Sequence, residues 1–73
     1  MNTDRIMTEI FGRPRDPRSP EYKAGGRAAL DFRLNGIKIK CPYRVGSAAA
    51  DAFFSGLDEG HQEGRSRISK EIL

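Results

Sequence analysis

Lys40-Cys41-Pro42-Tyr43 stands in the middle of the chain, between two segments with helical patterning. Proline lacks an amide hydrogen and fixes its own φ, so this tetrapeptide cannot be helix interior, and Cys41 before it is pushed toward an extended conformation. The chain must therefore pass from one helix to the other through Cys41-Pro42-Tyr43. A small apolar side chain and an aromatic ring flank a rigid bend there. That arrangement suits pinning a crossover onto a core, and it also suits presenting a ring and backbone groups to a partner.

Working upstream, Ile37-Lys38-Ile39-Lys40 alternates strictly and reads as extended. The stretch is too short for an independent sheet, so both isoleucines are expected to turn inward and both lysines outward. Asn35-Gly36 before it is a helix stop, because glycine takes the left-handed conformation freely. Ser19-Pro20-Glu21 is a helix start: serine caps, proline fits the first turn, and glutamate complements the dipole. These signals bound a helix over 19–34 with Tyr22, Ala29, Leu30 and Leu34 as its inward stripe and Phe32 near the edge. Gly25-Gly26 falls inside it, where each glycine costs about 1 kcal/mol relative to alanine. Their expected use is close approach of another backbone.

Working downstream, Gly46-Ser47 opens a second helix over 47–64 with Ser47 as cap. Ala48, Ala52, Gly56, Gly60 and Gly64 recur every four residues as a ladder of small side chains, beside a ridge of Phe53, Leu57 and His61 with Phe54 next to it. Ridges of this kind let helices pack closely, so the ladder is expected to face Gly25-Gly26. Residues 65–73 either extend this helix or fray. At the other end, 3–11 reads as a short amphipathic helix. Thr3 can cap it, Ile6/Ile10 and Met7/Phe11 form i,i+4 pairs, and Gly12 can stop it. A helix this short is marginal alone and must dock or fray. Residues 12–18, with two prolines and three arginines, form an extended basic linker. The fold class expected is all-α: a two-helix core (helix, extended crossover, helix) with a short N-terminal helix. The segments divide as 1–18, 19–65 and 66–73.

Composition narrows the function. The 73 residues make one domain at most, with a single cysteine and a single histidine. No internal disulfide and no four-ligand zinc site can form within one chain. No apolar run approaches the roughly 20 residues that span a bilayer, and the first residues lack the apolar core of a signal peptide. A reduced cytoplasmic protein is the default, with no membrane partner. No phosphate-cradling loop, nucleotide fingerprint or metal motif is present, so no cofactor is expected. Cys41 and His61 offer a nucleophile and a base, but a lone cysteine beside proline is usually a packed small hydrophobe. The chain reads as a binder and not an enzyme.

The formal net charge is +3, unevenly spread: residues 1–45 hold ten Lys/Arg against five Asp/Glu, and residues 46–73 hold three against five. The basic half suits a polyanion, with Lys and Arg on phosphates and Tyr43 or Tyr22 stacking on an unpaired base. A DNA-binding helix-turn-helix is disfavoured, because 36–46 is too long for its usual turn.

Tyr22-Lys23-Ala24-Gly25, Cys41-Pro42-Tyr43 and Phe53-Phe54-Ser55-Gly56-Leu57-Asp58-Glu59-Gly60 together resemble the pattern of the ribosome modulation factor family, over roughly residues 19–65. The shared positions are Tyr22, Gly25, Cys41, Pro42, Tyr43, Gly56 and Glu59. The segment from Tyr22 to Cys41 is longer here by about two helical turns, a spacing that preserves facial register. The second helix has Phe and Leu where the family favours Trp, Asp58 stands where a basic residue is expected, and the N-terminal helix has no clear counterpart. The resemblance implies a helix pair that binds the small ribosomal subunit near the 3′ end of its RNA, inhibiting translation or promoting ribosome hibernation. On this reading Arg15, Arg18, Lys23, Arg27, Lys38, Lys40, Tyr43 and Arg44 contact RNA, while Tyr22, Gly25, Cys41, Pro42, Gly56 and Gly60 maintain the fold. The alternative is a protein-interaction module of the same fold that binds and inhibits a host or mobile-element protein. The acidic second helix and the extra N-terminal helix favour it. Three apolar ridges exceed what two helices can bury, so a homodimer through Phe11, Phe53 or Phe54 is also expected.

Overall fold

Capping chemistry sets the helix boundaries in the computed structural model, which describes residues 3–12 and 18–72, with side chains through Arg67. Helix α1 spans Thr3–Phe11, α2 spans Pro20–Asn35 and α3 spans Ala48–Ile72; no strand occurs among the described residues. The Tyr22 amide donates to Ser19 Oγ at 3.2 Å, and Pro20 occupies the first turn of α2. Gly36 closes α2 at φ 69°, with its own amide bonded to the Phe32 carbonyl and the Ile37 amide to that of Asp31. This double bond satisfies carbonyls that the helix end would leave orphaned. Ser47 caps α3 by accepting from the Ala50 amide at 3.1 Å, and its hydroxyl donates to the Arg44 carbonyl at 2.6 Å. α3 continues well beyond residue 64, without a break at 65/66.

The α2–α3 contact is built from backbone. A methyl on Gly25 would overlap the Phe53 carbonyl, and one on Gly56 would overlap the carbonyl of Tyr22. A methyl on Gly60 would lie 2.9 Å from Ala29 Cβ, and one on Gly64 would lie 3.2 Å from Leu30 Cδ2. Only hydrogen fits at Gly25, Gly56 and Gly60, where backbone atoms stand in the way; at Gly64 the neighbours are the Arg33 and Leu30 side chains. The partners rise together, Tyr22 with Gly56, Gly26 with Gly60 and Leu30 with Gly64, so α2 and α3 run parallel. A tight turn cannot join parallel helices. The connection must travel back along α2, about 24 Å of helix, and 36–47 in extended form reaches about 40 Å.

The small ladder is buried only in part. Gly56, Gly60 and Gly64 are covered, but Ala52 is half-buried and Ala48 exposed. A strict spacing of four drifts about 40° per step around a helix with 3.6 residues per turn. The buried line therefore shifts to Ala50 and Phe53 in the first turns of α3.

Buried side chains come from all three helices: Ile6, Ala29, Leu30, Ala50 and Phe53. α1 lies antiparallel on α2. Thr3, expected as a local cap, donates its hydroxyl to Asp31 Oδ1 at 2.6 Å, Asp4 pairs with Arg27, and the Phe11 ring covers Gly26. Phe11 also meets Tyr22 edge-on at 6.0 Å between centroids. Phe53 corrects one expectation about self-association: it is 2% exposed, so the chain's own core already uses its ring. Phe11 is half-buried against α2, which leaves Phe54, 47% exposed, as the member of that trio on the surface.

Candidate polyanion interface

The crossover presents its cations as the alternation suggests, but not both isoleucines. Lys38 and Lys40 are exposed and Ile39 is half-buried. Ile37, expected to turn inward, is 54% exposed. Its amide is tied back to Asp31 by the left-handed cap, which holds it over the end of α2 instead of against the core. Beyond it, Cys41 Sγ lies 3.7 Å from the Tyr43 carbonyl, and the Tyr43 ring meets Phe53 edge-on at 6.0 Å. Tyr43 thus anchors the crossover to the core. Arg44 is exposed, and Val45 beside it is 90% exposed at the turn that ends in Gly46, φ 87°. The segment 36–47 contains no carboxylate. Among the described residues, Lys38, Lys40 and Arg44 make no ion pair.

The remaining expected cations are distributed differently. Arg15 lies outside the described residues. The Arg18 guanidinium sits 4.7 Å from the Tyr22 ring centroid, a cation–π contact. Lys23 is half-buried and lines an open cleft of about 340 Å³ with Asp4, Met7, Phe11 and Arg27. Arg27 is paired with Asp4. Arg33 donates from Nε to His61 Nδ1 at 3.0 Å. Arg18, Arg27 and Arg33 are therefore engaged within the molecule, whereas the crossover carries three exposed cations without an ion pair among the described residues.

Tyr22 is the hub of the motif residues. Its carbonyl faces Gly56 and its hydroxyl donates to Glu59 Oε1 at 2.5 Å. Burial, followed by the Glu59 carboxylate, pushes the phenol above its ordinary pKa, so it remains a donor throughout the neutral range. This bond was missed from sequence, although both residues are among the positions shared with the resembled family. Arg33–His61 was missed as well. Cys41 and His61 sit in separate surroundings: His61 contacts Arg33 and the edge of Phe32.

The His61 contact makes stability depend on pH. Burial, then the charge of Arg33, holds the imidazole below its ordinary pKa of 6.5, with Arg65 acting in the same sense and Asp58 opposing. A protonated ring loses the acceptor that Arg33 uses. The unfolded chain takes up this proton first as pH falls. Stability is therefore full above the ordinary histidine pKa and declines as pH drops through it toward the lower folded value. Thermal melts at about pH 7.5 and 5.5 are expected to show a falling Tm for the native chain and a smaller fall for His61→Gln. Equal falls would assign the effect to other groups.

No helix among the described residues is long and apolar enough to cross a membrane. No family model, curated protein or solved structure matches the chain.

Proposed function

We propose that the chain is a non-enzymatic, cytoplasmic RNA-binding protein with a two-helix core of α2 and α3. Its target on this reading is the small ribosomal subunit, where it inhibits translation or promotes ribosome hibernation, as the resemblance to ribosome modulation factors implies. The observation that carries the reading is the crossover: Lys38, Lys40 and Arg44 are exposed and unpaired on a segment without carboxylates that Tyr43 anchors to the core. Phosphates set such contacts without any requirement for a deep pocket. The second reading, a protein-interaction module, draws on apolar side chains held at the surface: Phe32, Ile37, Val45 and Phe54. Aromatic and aliphatic anchors of this kind form the centres of protein interfaces.

Sucrose-gradient sedimentation of the tagged chain in cell lysate, followed by mass spectrometry, separates the two. Comigration with small-subunit particles that is lost at high salt is expected. Stoichiometric capture of a single protein away from ribosomal fractions would replace the first reading with the second.

A further inference from the structure

α1 carries two carboxylates that sit where an anionic ligand would sit. Asp4 pairs with Arg27 of α2, and Glu9 accepts from Arg67 Nη1 of α3 at 3.2 Å. Positions 4 and 9 are separated by about 7.5 Å along a helix and by about 140° around it, which lets α1 reach both neighbours. We propose that Arg27 and Arg67 form a second phosphate-binding pair, apart from the crossover, and that Asp4 and Glu9 hold it as built-in competitors. The inference rests on the RNA-binding reading.

Three observations support it. A guanidinium recognises carboxylate and phosphate through the same donor fork, so one can replace the other. The ion pairs are not what docks α1, because buried Ile6, the Thr3–Asp31 bond and Phe11 over Gly26 do so without them. The Asp4–Arg27 pair is also open to exchange, whereas Arg67 is 27% exposed beside Glu9 at 47%. The Asp4 side chain is 81% exposed and that of Arg27 47% exposed, so a phosphate can reach Arg27 without moving the helix. Arg67 Nε is sealed from solvent without a hydrogen bond and also ion-pairs with Glu63 Oε2 at 3.5 Å, so a phosphate must meet Arg67 at its other nitrogens. Ion pairs with at least one member open to solvent, as Asp4 and Glu9 are here, contribute little to stability. Their removal alters the charge available to a ligand more than it alters the fold.

The test is titration of a fluorescent oligouridylate at several salt concentrations. Asp4→Asn with Glu9→Gln is expected to bind about fivefold tighter at low salt, with a log–log salt slope steeper by roughly 1.4, or 0.7 for each added phosphate. Asp4→Asn alone should give about half of the slope change. Asp51→Asn with Asp58→Asn changes the net charge equally at exposed positions that make no ion pair among the described residues and is expected to have a smaller effect. Adding Arg27→Gln and Arg67→Gln to the first variant should erase its gain. A gain matched by the Asp51/Asp58 control, or one that survives loss of both arginines, overturns the proposal. No gain while the native chain binds also overturns it and leaves the RNA-binding reading standing. Absence of binding by every chain removes both.

Discussion

Gly56→Ala is expected to destabilise the protein by about 3 kcal/mol or more, although the same change in an isolated helix would stabilise it by about 1 kcal/mol. The added methyl would overlap the Tyr22 carbonyl oxygen and lie 3.1 Å from Tyr22 Cα. Neither atom belongs to a side chain that can rotate away, so relief requires the helix axes to part. Parting also loosens Gly25 against Phe53 and Gly60 against Gly26, because all three contacts lie on one interface. A chain of this length has a total stability of roughly 4–11 kcal/mol, so the loss is a large share of it. The corresponding fall in Tm is about 12–24 °C. Ser55→Ala, exposed on the same helix, is expected to leave Tm within a few degrees. If Gly56→Ala melts with the native chain, the helices do not meet backbone to backbone.

The second large effect concerns the crossover. Lys38→Glu with Lys40→Glu is expected to weaken RNA binding at low salt at least about tenfold and to flatten the salt slope by roughly 1.4. Both side chains are exposed and unpaired among the described residues, so circular dichroism and Tm should remain close to native. The same reversal at Arg18 and Arg33 is expected to act mainly on stability, since those guanidiniums hold Tyr22 and His61. Equal losses of binding from the two double variants would mean that total charge, and not the crossover, attracts the ligand.

Features governed by neighbours in sequence were legible before the structure. Ser19, Pro20, Gly36 and Ser47 act through hydrogen bonds within four residues or through their own φ, so helix ends follow from local chemistry. Gly25-Gly26 and the Gly56/Gly60 row announced close backbone contact, because nothing else offsets their cost in a helix. The direction of the pairing was not legible, since glycine spacing is the same for parallel and antiparallel neighbours. Charge partners were hidden for a similar reason. Arg27, read as an RNA contact, meets Asp4 only because α1 folds back onto α2. Ile37 fits a period-two pattern, yet the left-handed cap one residue earlier overrides it. By sequence Tyr43 suits an anchor and a contact equally. Its edge-on meeting with Phe53 holds the ring against the core, a contact that no local signal specifies.

The parallel course of α2 and α3 also governs how the chain finds its fold. Antiparallel helices can zip from a short hairpin, with the first contacts costing little loop entropy. Here the nearest contacts across the pair already enclose most of one helix and the whole crossover, so closure precedes any reward. During synthesis, α2 can lean on α1 before the middle of α3 is complete. The rate of folding should therefore track the length and stiffness of 36–47, and Pro42 shortens the search by restricting the chain that must close.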